Sequence, residues 1–175
     1  IDMAIVGAVD LSCETVHQYA ARSLLPDNRQ ICGDAATVFI IKRLSDARQQ
    51  DDEIVAVIEP QSSEHAAQTF QLNTQHAGLA ARFGHSHAAS GLQLVAAAAL
   101  AIRHGMVVRE QQYAIPWRSS DSQGRTALVE VRDLGQQQQQ LRLRNEQALA
   151  RGFDPDGWRL CCYAANSRSE LIRML

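Results

Sequence analysis

His85 is the first side chain of this chain to weigh for chemistry. It lies in Phe83-Gly84-His85-Ser86-His87, just ahead of a long run of small and apolar residues. One reading makes its imidazole a catalytic group. A second makes it a residue capping a buried helix near its N-terminus, where the helix dipole disfavours the protonated form. In a third, His85 and His87 are two metal ligands, with His65 or His76 completing the set. The pair falls at a loop-to-helix junction, however, and no carboxylate or thiol is close to it in sequence. A Ser-His-Asp hydrolase would need a Gly-x-Ser-x-Gly elbow, and the sequence holds none. Gly84 and Gly91 fit neither the Walker nor the dinucleotide spacing, and read as turn residues needing unusual backbone angles. The four cysteines, Cys13, Cys32, Cys161 and Cys162, show neither paired metal-type spacing nor a dense disulfide pattern. They read as reduced thiols of a cytoplasmic protein.

These residues must be positioned by a mixture of strands and helices. Met3 to Leu11 (MAIVGAVDL) is short, apolar and partly β-branched, as a buried strand is. Ser12 to Leu25 has mild helical periodicity and stops at Pro26. Ala35 to Leu44 contains Val38, Phe39, Ile40 and Ile41 in succession, the pattern of a strand covered on both faces. Glu53 to Glu59 reads as a further strand. Gln61 to Ala81 is polar and weakly patterned, and reads as a loop with one short helix. Ala88 to His104 is the clearest helix, apolar nearly all round and therefore buried. Gly105 follows as its C′ residue. Thr126 to Arg132 and Gln137 to Leu143 alternate apolar with polar and form a hairpin. The alternation runs straight through the glutamines of 136–140. Residues 146–175 begin as a linker, continue as a strand over Trp158 to Ala164, and end in a helix opened by the Ser167-x-x-Glu170 capping box.

Charge and hydropathy exclude some functions. Seventeen basic residues face nineteen acidic ones, the formal net charge is −2, and the two signs are interspersed. That is no nucleic-acid footprint, which would concentrate Lys and Arg on one face. The longest apolar run, Leu94 to Ile102, is too short to span a bilayer, so no membrane partner is expected. The opening Ile1-Asp2-Met3 enters an apolar strand at once, as a segment of something longer would. No cofactor is implied.

The order of the pieces resembles the ketosynthase domains of modular fatty-acid and polyketide synthases. MAIVGAVDL is similar to the strand that follows the nucleophile helix of that family. Cys32 to Pro60 (CGDAATVFIIKRLSDARQQDDEIVAVIEP) looks like its Gly-rich turn, strand, Lys-Arg-Leu, Asp-Ala and second strand. Phe83 to Val107 (FGHSHAASGLQLVAAAALAIRHGMV) is similar to its Asn-x-Gly-His motif and the buried helix behind it. RTALVEVRDLG and LRLR resemble its closing hairpin, and 158–175 the linker toward a following acyltransferase module. The resemblance implies the C-terminal half of a thiolase-like αβαβα sandwich over residues 1–145, with a linker over 146–175. It implies that Met3–Val9, Ala35–Ile41 and Glu53–Ile58 share one mixed sheet, extended by the terminal antiparallel hairpin. Separate sheets would sink it.

The departures from the family bear on function. Its nucleophilic Cys lies ahead of the strand matched by Met3 to Leu11, and Cys13 falls after that strand. Its His-Gly-Thr-Gly-Thr motif does not occur between the second strand and Gly84-His85. Arg82 stands where its Asn would be, and Ala80 where a Lys would be. By the resemblance, His85 matches the imidazole that donates to a carbonyl oxygen as negative charge develops there. Without the nucleophile and the other His it is vestigial. The resemblance therefore implies a non-catalytic module, like a chain-length factor or the shortened ketosynthase-like regions of bacterial polyunsaturated fatty acid synthases. Its partners would be a preceding ketosynthase-like segment or second protein chain, and the acyl carrier protein of the same synthase. Two alternatives stand beside it. One is part of an active 3-oxoacyl synthase whose nucleophile is on another segment. The other is an unrelated small α/β interaction domain.

Overall fold

The computed structural model describes residues 2–59, 70–73, 79, 82–108, 114–117, 124–132 and 137–146. The expected strand and helix of 158–175, the boundary at 145 and 146, His65, His76, Cys161 and Cys162 lie outside or at the edge of these residues.

The fold is α/β. Strand β1 (Met3–Asp10) pairs antiparallel with β2 (Ala35–Lys42), setting Ile5 opposite Ile40 and Gly7 opposite Val38. Between them runs α1 (Thr15–Leu24), which ends where Pro26 cannot continue it. Helix α2 (Leu44–Gln49) follows β2. The second sheet is mixed and holds β3 (Val57–Glu59), β4 (Phe70–Asn73), β7 (Thr126–Arg132) and β8 (Gln138–Arg144) in the order β3-β8-β7-β4. Strand β4 runs parallel to β7, and β7 and β8 form the expected antiparallel hairpin. A short pair, β5 (Met106–Val108) and β6 (Ala114–Pro116), stands apart.

Helix α3 (Ser90–His104) organises the rest. It touches β2 as well as β7, β8 and β4, and so stands between the ribbon and the four-stranded sheet. Leu94, Ala98 and Ile102 pack with Leu72, Ala127, Val129 and Leu143 into the core. Its alanines let sheet backbones come close. Gly105 caps it in the left-handed region at φ 62°, and the Arg125 guanidinium donates to the Ile102 carbonyl at 3.3 Å.

Three sequence expectations need correction. The first two strands do not share a sheet with β3, which pairs with β8 instead. A helix lies between them, and strands on opposite sides of a helix cannot hydrogen-bond to one another. The stretch 61–81 is not only loop and helix. Phe70 and Leu72 alternate inward, Leu72 is buried, and the four residues form a sheet strand. Finally, the apolar block of β2 is covered on one face only, because Val38 (67 % exposed) and Ile40 (71 %) have nothing packed over them among the described residues. Helix α3 is the most buried helix among the described residues, yet Leu100 is 50 % exposed. No helix among the described residues is long and apolar enough to cross a membrane.

Candidate functional site

The site forms where the segment before β2 meets the turn before α3. Cys32 and His85 are bridged in parallel: the His85 N–H donates to Ile31 O at 2.7 Å, and the Gly33 N–H donates to His85 O at 3.0 Å. Glycine allows this approach. A Cβ on Gly33 would stand 1.9 Å from Phe83 O. One on Gly84, which sits at φ +74°, would stand 2.5 Å from Cys32 O. Two glycines 51 positions apart therefore let two backbones touch, and the side chains beside them are brought together.

His85 is buried, at 8 % exposure. Its Nδ1 accepts the His87 backbone N–H at 2.9 Å, which leaves Nε2 to carry the proton of the neutral ring. Burial pushes its pKa down to about 4; the neighbouring His87 and then Arg29 push the same way, and Asp10 opposes them. The imidazole is neutral at pH 7. The low affinity for a proton thus comes first from burial rather than from a helix dipole. The residue also stands ahead of a 3₁₀ turn (His87–Ala89) and not on α3 itself.

That turn is held from several sides. The Asp10 carboxylate at the end of β1 accepts the Ala88 N–H at 3.0 Å and the Ser12 hydroxyl. The Ser90 hydroxyl donates to His87 O at 2.6 Å, and buried Ser86 donates to Gln93 Oε1 at 2.8 Å. His87 is held at φ +31°, an uncommon conformation for a residue with a Cβ. Its ring lies 4.8 Å from that of His85, and its Nε2 lies 3.4 Å from Cys32 Sγ. No thiol is near His85-x-His87 along the chain, yet one is near it in space. Cys32 is not legible as a site residue from the sequence for this reason, and only the two glycines hint at the contact. Among the described residues no group of three or more His, Cys, Asp or Glu is placed to hold a metal.

Cys13 and Cys32 are both free thiols. Cys13 is exposed, with its N–H on Asp34 Oδ1 at 2.9 Å, and its pKa is raised by desolvation and then by the Asp34 carboxylate. Cys32 lines a cleft of about 350 Å³ together with Gln18, Arg22, Asp27, Gln30 and Ile31.

No family model and no curated protein matches the sequence. Solved structures do match. One is the ketosynthase from module 6 of the bacillaene synthase from Bacillus subtilis 168, at a TM-score of 0.64 and 15 % identity over 85 % of this chain and 43 % of that one. Its C167S mutant matches at 0.62 and 16 % identity, covering 85 % and 41 %. The PfaC keto synthase-chain length factor matches at 0.60 and 16 % identity, covering 83 % of this chain and 25 % of that one. The chain spans about two fifths or less of the length of these structures. The expectation that separate sheets would sink the resemblance is overturned, because the chain matches these structures over 83–85 % of its length with its strands so divided. The chain has the α/β fold of part of a ketosynthase.

Proposed function

We propose that this chain is a non-catalytic, ketosynthase-like module, akin to a chain-length factor, that supports acyl-chain elongation in a polyketide or polyunsaturated fatty acid synthase. The observation that carries the reading is a ketosynthase-like fold whose β1–β2 ribbon and Leu100 present bare apolar surface. Such surface marks an interaction face. Its partner would be a ketosynthase-like half, on a preceding segment or a second protein, and the acyl carrier protein of the same synthase would visit the assembly.

The site supports the non-catalytic part. The interval from β3 to Gly84 holds no His-Gly-Thr-Gly-Thr motif, and Arg82 stands where the Asn of the Asn-x-Gly-His motif would be. In this reading the His85 imidazole is a vestige of the oxyanion donor, and the bridge to the Cys32 segment rests on its backbone alone. The test is condensation of acyl and malonyl thioesters by the protein, alongside product formation in its synthase with His85→Ala. No condensation and unchanged product are expected. A large loss of product with folding intact would restore a catalytic role to His85, and with it the alternative of a working 3-oxoacyl synthase.

A further inference from the structure

The contact between Cys32 and His87 has no part in that reading, and it has the form of a reactive pair. Cys32 Sγ and His87 Nε2 lie 3.4 Å apart, within hydrogen-bond reach for sulfur. A thiol becomes an efficient nucleophile when an adjacent base takes its proton, and such a base is recognised by this reach. The two residues come from segments 55 positions apart, and three features hold them there. The Gly33–Gly84 approach fixes Cys32 against the turn. The Ser90 and Asp10 hydrogen bonds fix the turn itself. The third is the backbone of His87, held at φ +31°. Strain of this kind persists only where the surroundings impose it, and it clusters at functional sites. Cys32 is 9 % exposed and lines a cleft of about 350 Å³, whose other lining residues are Gln18, Arg22, Asp27, Gln30 and the exposed apolar Ile31. A chain with both polar and apolar parts can enter such a cleft.

The geometry points to Cys32 and His87 as a thiol–imidazole pair that takes up an acyl group from a thioester. Only the choice of a thioester as substrate rests on the synthase reading above. In the step, His87 Nε2 accepts the Cys32 thiol proton as Sγ attacks the thioester carbonyl carbon. The new Cys32 S–C bond forms, the old C–S bond breaks, and His87 returns the proton to the departing thiolate. One thioester and one thiol become another thioester and another thiol. No oxidant, reductant or water takes part. The module would hold an acyl group on Cys32 without forming a carbon–carbon bond.

The experiment treats the full protein with an acyl N-acetylcysteamine thioester and follows each cysteine by digestion and mass spectrometry. Iodoacetamide is run in parallel. Native Cys32 should acquire the acyl group at least about tenfold faster than Cys32 of the urea-unfolded protein, since base assistance typically contributes two to four orders of magnitude. His87→Asn, whose Asn tolerates a positive φ, should remove most of that advantage, and Cys13→Ala should leave it unchanged. The comparison of native with unfolded protein stands even if the His87 variant fails to fold, because an inert buried thiol is slowed by folding. Acylation of Cys32 that is slower in the native protein, or insensitive to His87→Asn, would overturn the proposal. Iodoacetamide labelling without acylation would overturn the thioester as substrate. Labelling by neither probe would overturn the pair itself. The proposed elongation role needs no thiol and would survive that last result.

Discussion

At the residue scale, the chemistry of the site follows from two backbones brought into contact. Gly33 and Gly84 each stand where a Cβ would strike a carbonyl of the other segment. Gly33→Ala should therefore break the Cys32–His85 bridge and cost more than about 3 kcal/mol, in the range of the largest single-residue losses. Urea unfolding of the variant against the parent checks this. His85 supplies a second prediction. Its folded pKa, about 4, is below the usual 6.5, so between these values the unfolded state binds more protons than the folded one. The stability it confers is full above about pH 6.5 and is lost as pH falls toward 4. Urea midpoints measured across this window should drop more steeply for the parent than for His85→Asn. His85 was legible in the sequence, because Gly-His before an alanine-rich run is a local pattern. Cys32 was not, because its neighbourhood is made by a bridge between segments far apart in the chain.

At the element scale, α3 carries the fold. Leu94 is 6 % exposed and packs into the core, so Leu94→Ala should cost about 2–5 kcal/mol. Leu100 lies on the same helix with half its surface open, and Leu100→Ala in the isolated chain should cost less than about 1 kcal/mol. Equal losses at the two positions would show that Leu100 is covered. Glu59 of β3 accepts a hydrogen bond from Arg144 Nε at 2.6 Å and forms an ion pair with Arg142 at 3.2 Å, and it ties β3 to β8. Elements with strong local period were readable. Alternation marked β7 and β8, and the alanine-rich run and Gly105 marked α3 and its end. Strand β4 was hidden by its length of four residues in a polar stretch. The grouping into sheets was hidden as well. An apolar run says that a strand is covered, and does not say which strand lies beside it.

At the scale of the whole molecule, the proposed function turns on the ribbon. Ile5 and Ile40 are cross-strand partners, 72 % and 71 % exposed, and Val9 and Val38 extend the same bare face. An unpaired two-stranded ribbon with an apolar face invites association, since its edges also remain open among the described residues. In the proposed function this face is covered by a partner half in a ketosynthase-like assembly. Size-exclusion chromatography with light scattering on the isolated chain and on Ile40→Glu tests it most directly. The expected result is a parent that associates or aggregates and a folded Ile40→Glu variant that does so markedly less. A parent that runs as a stable, non-aggregating monomer would contradict it.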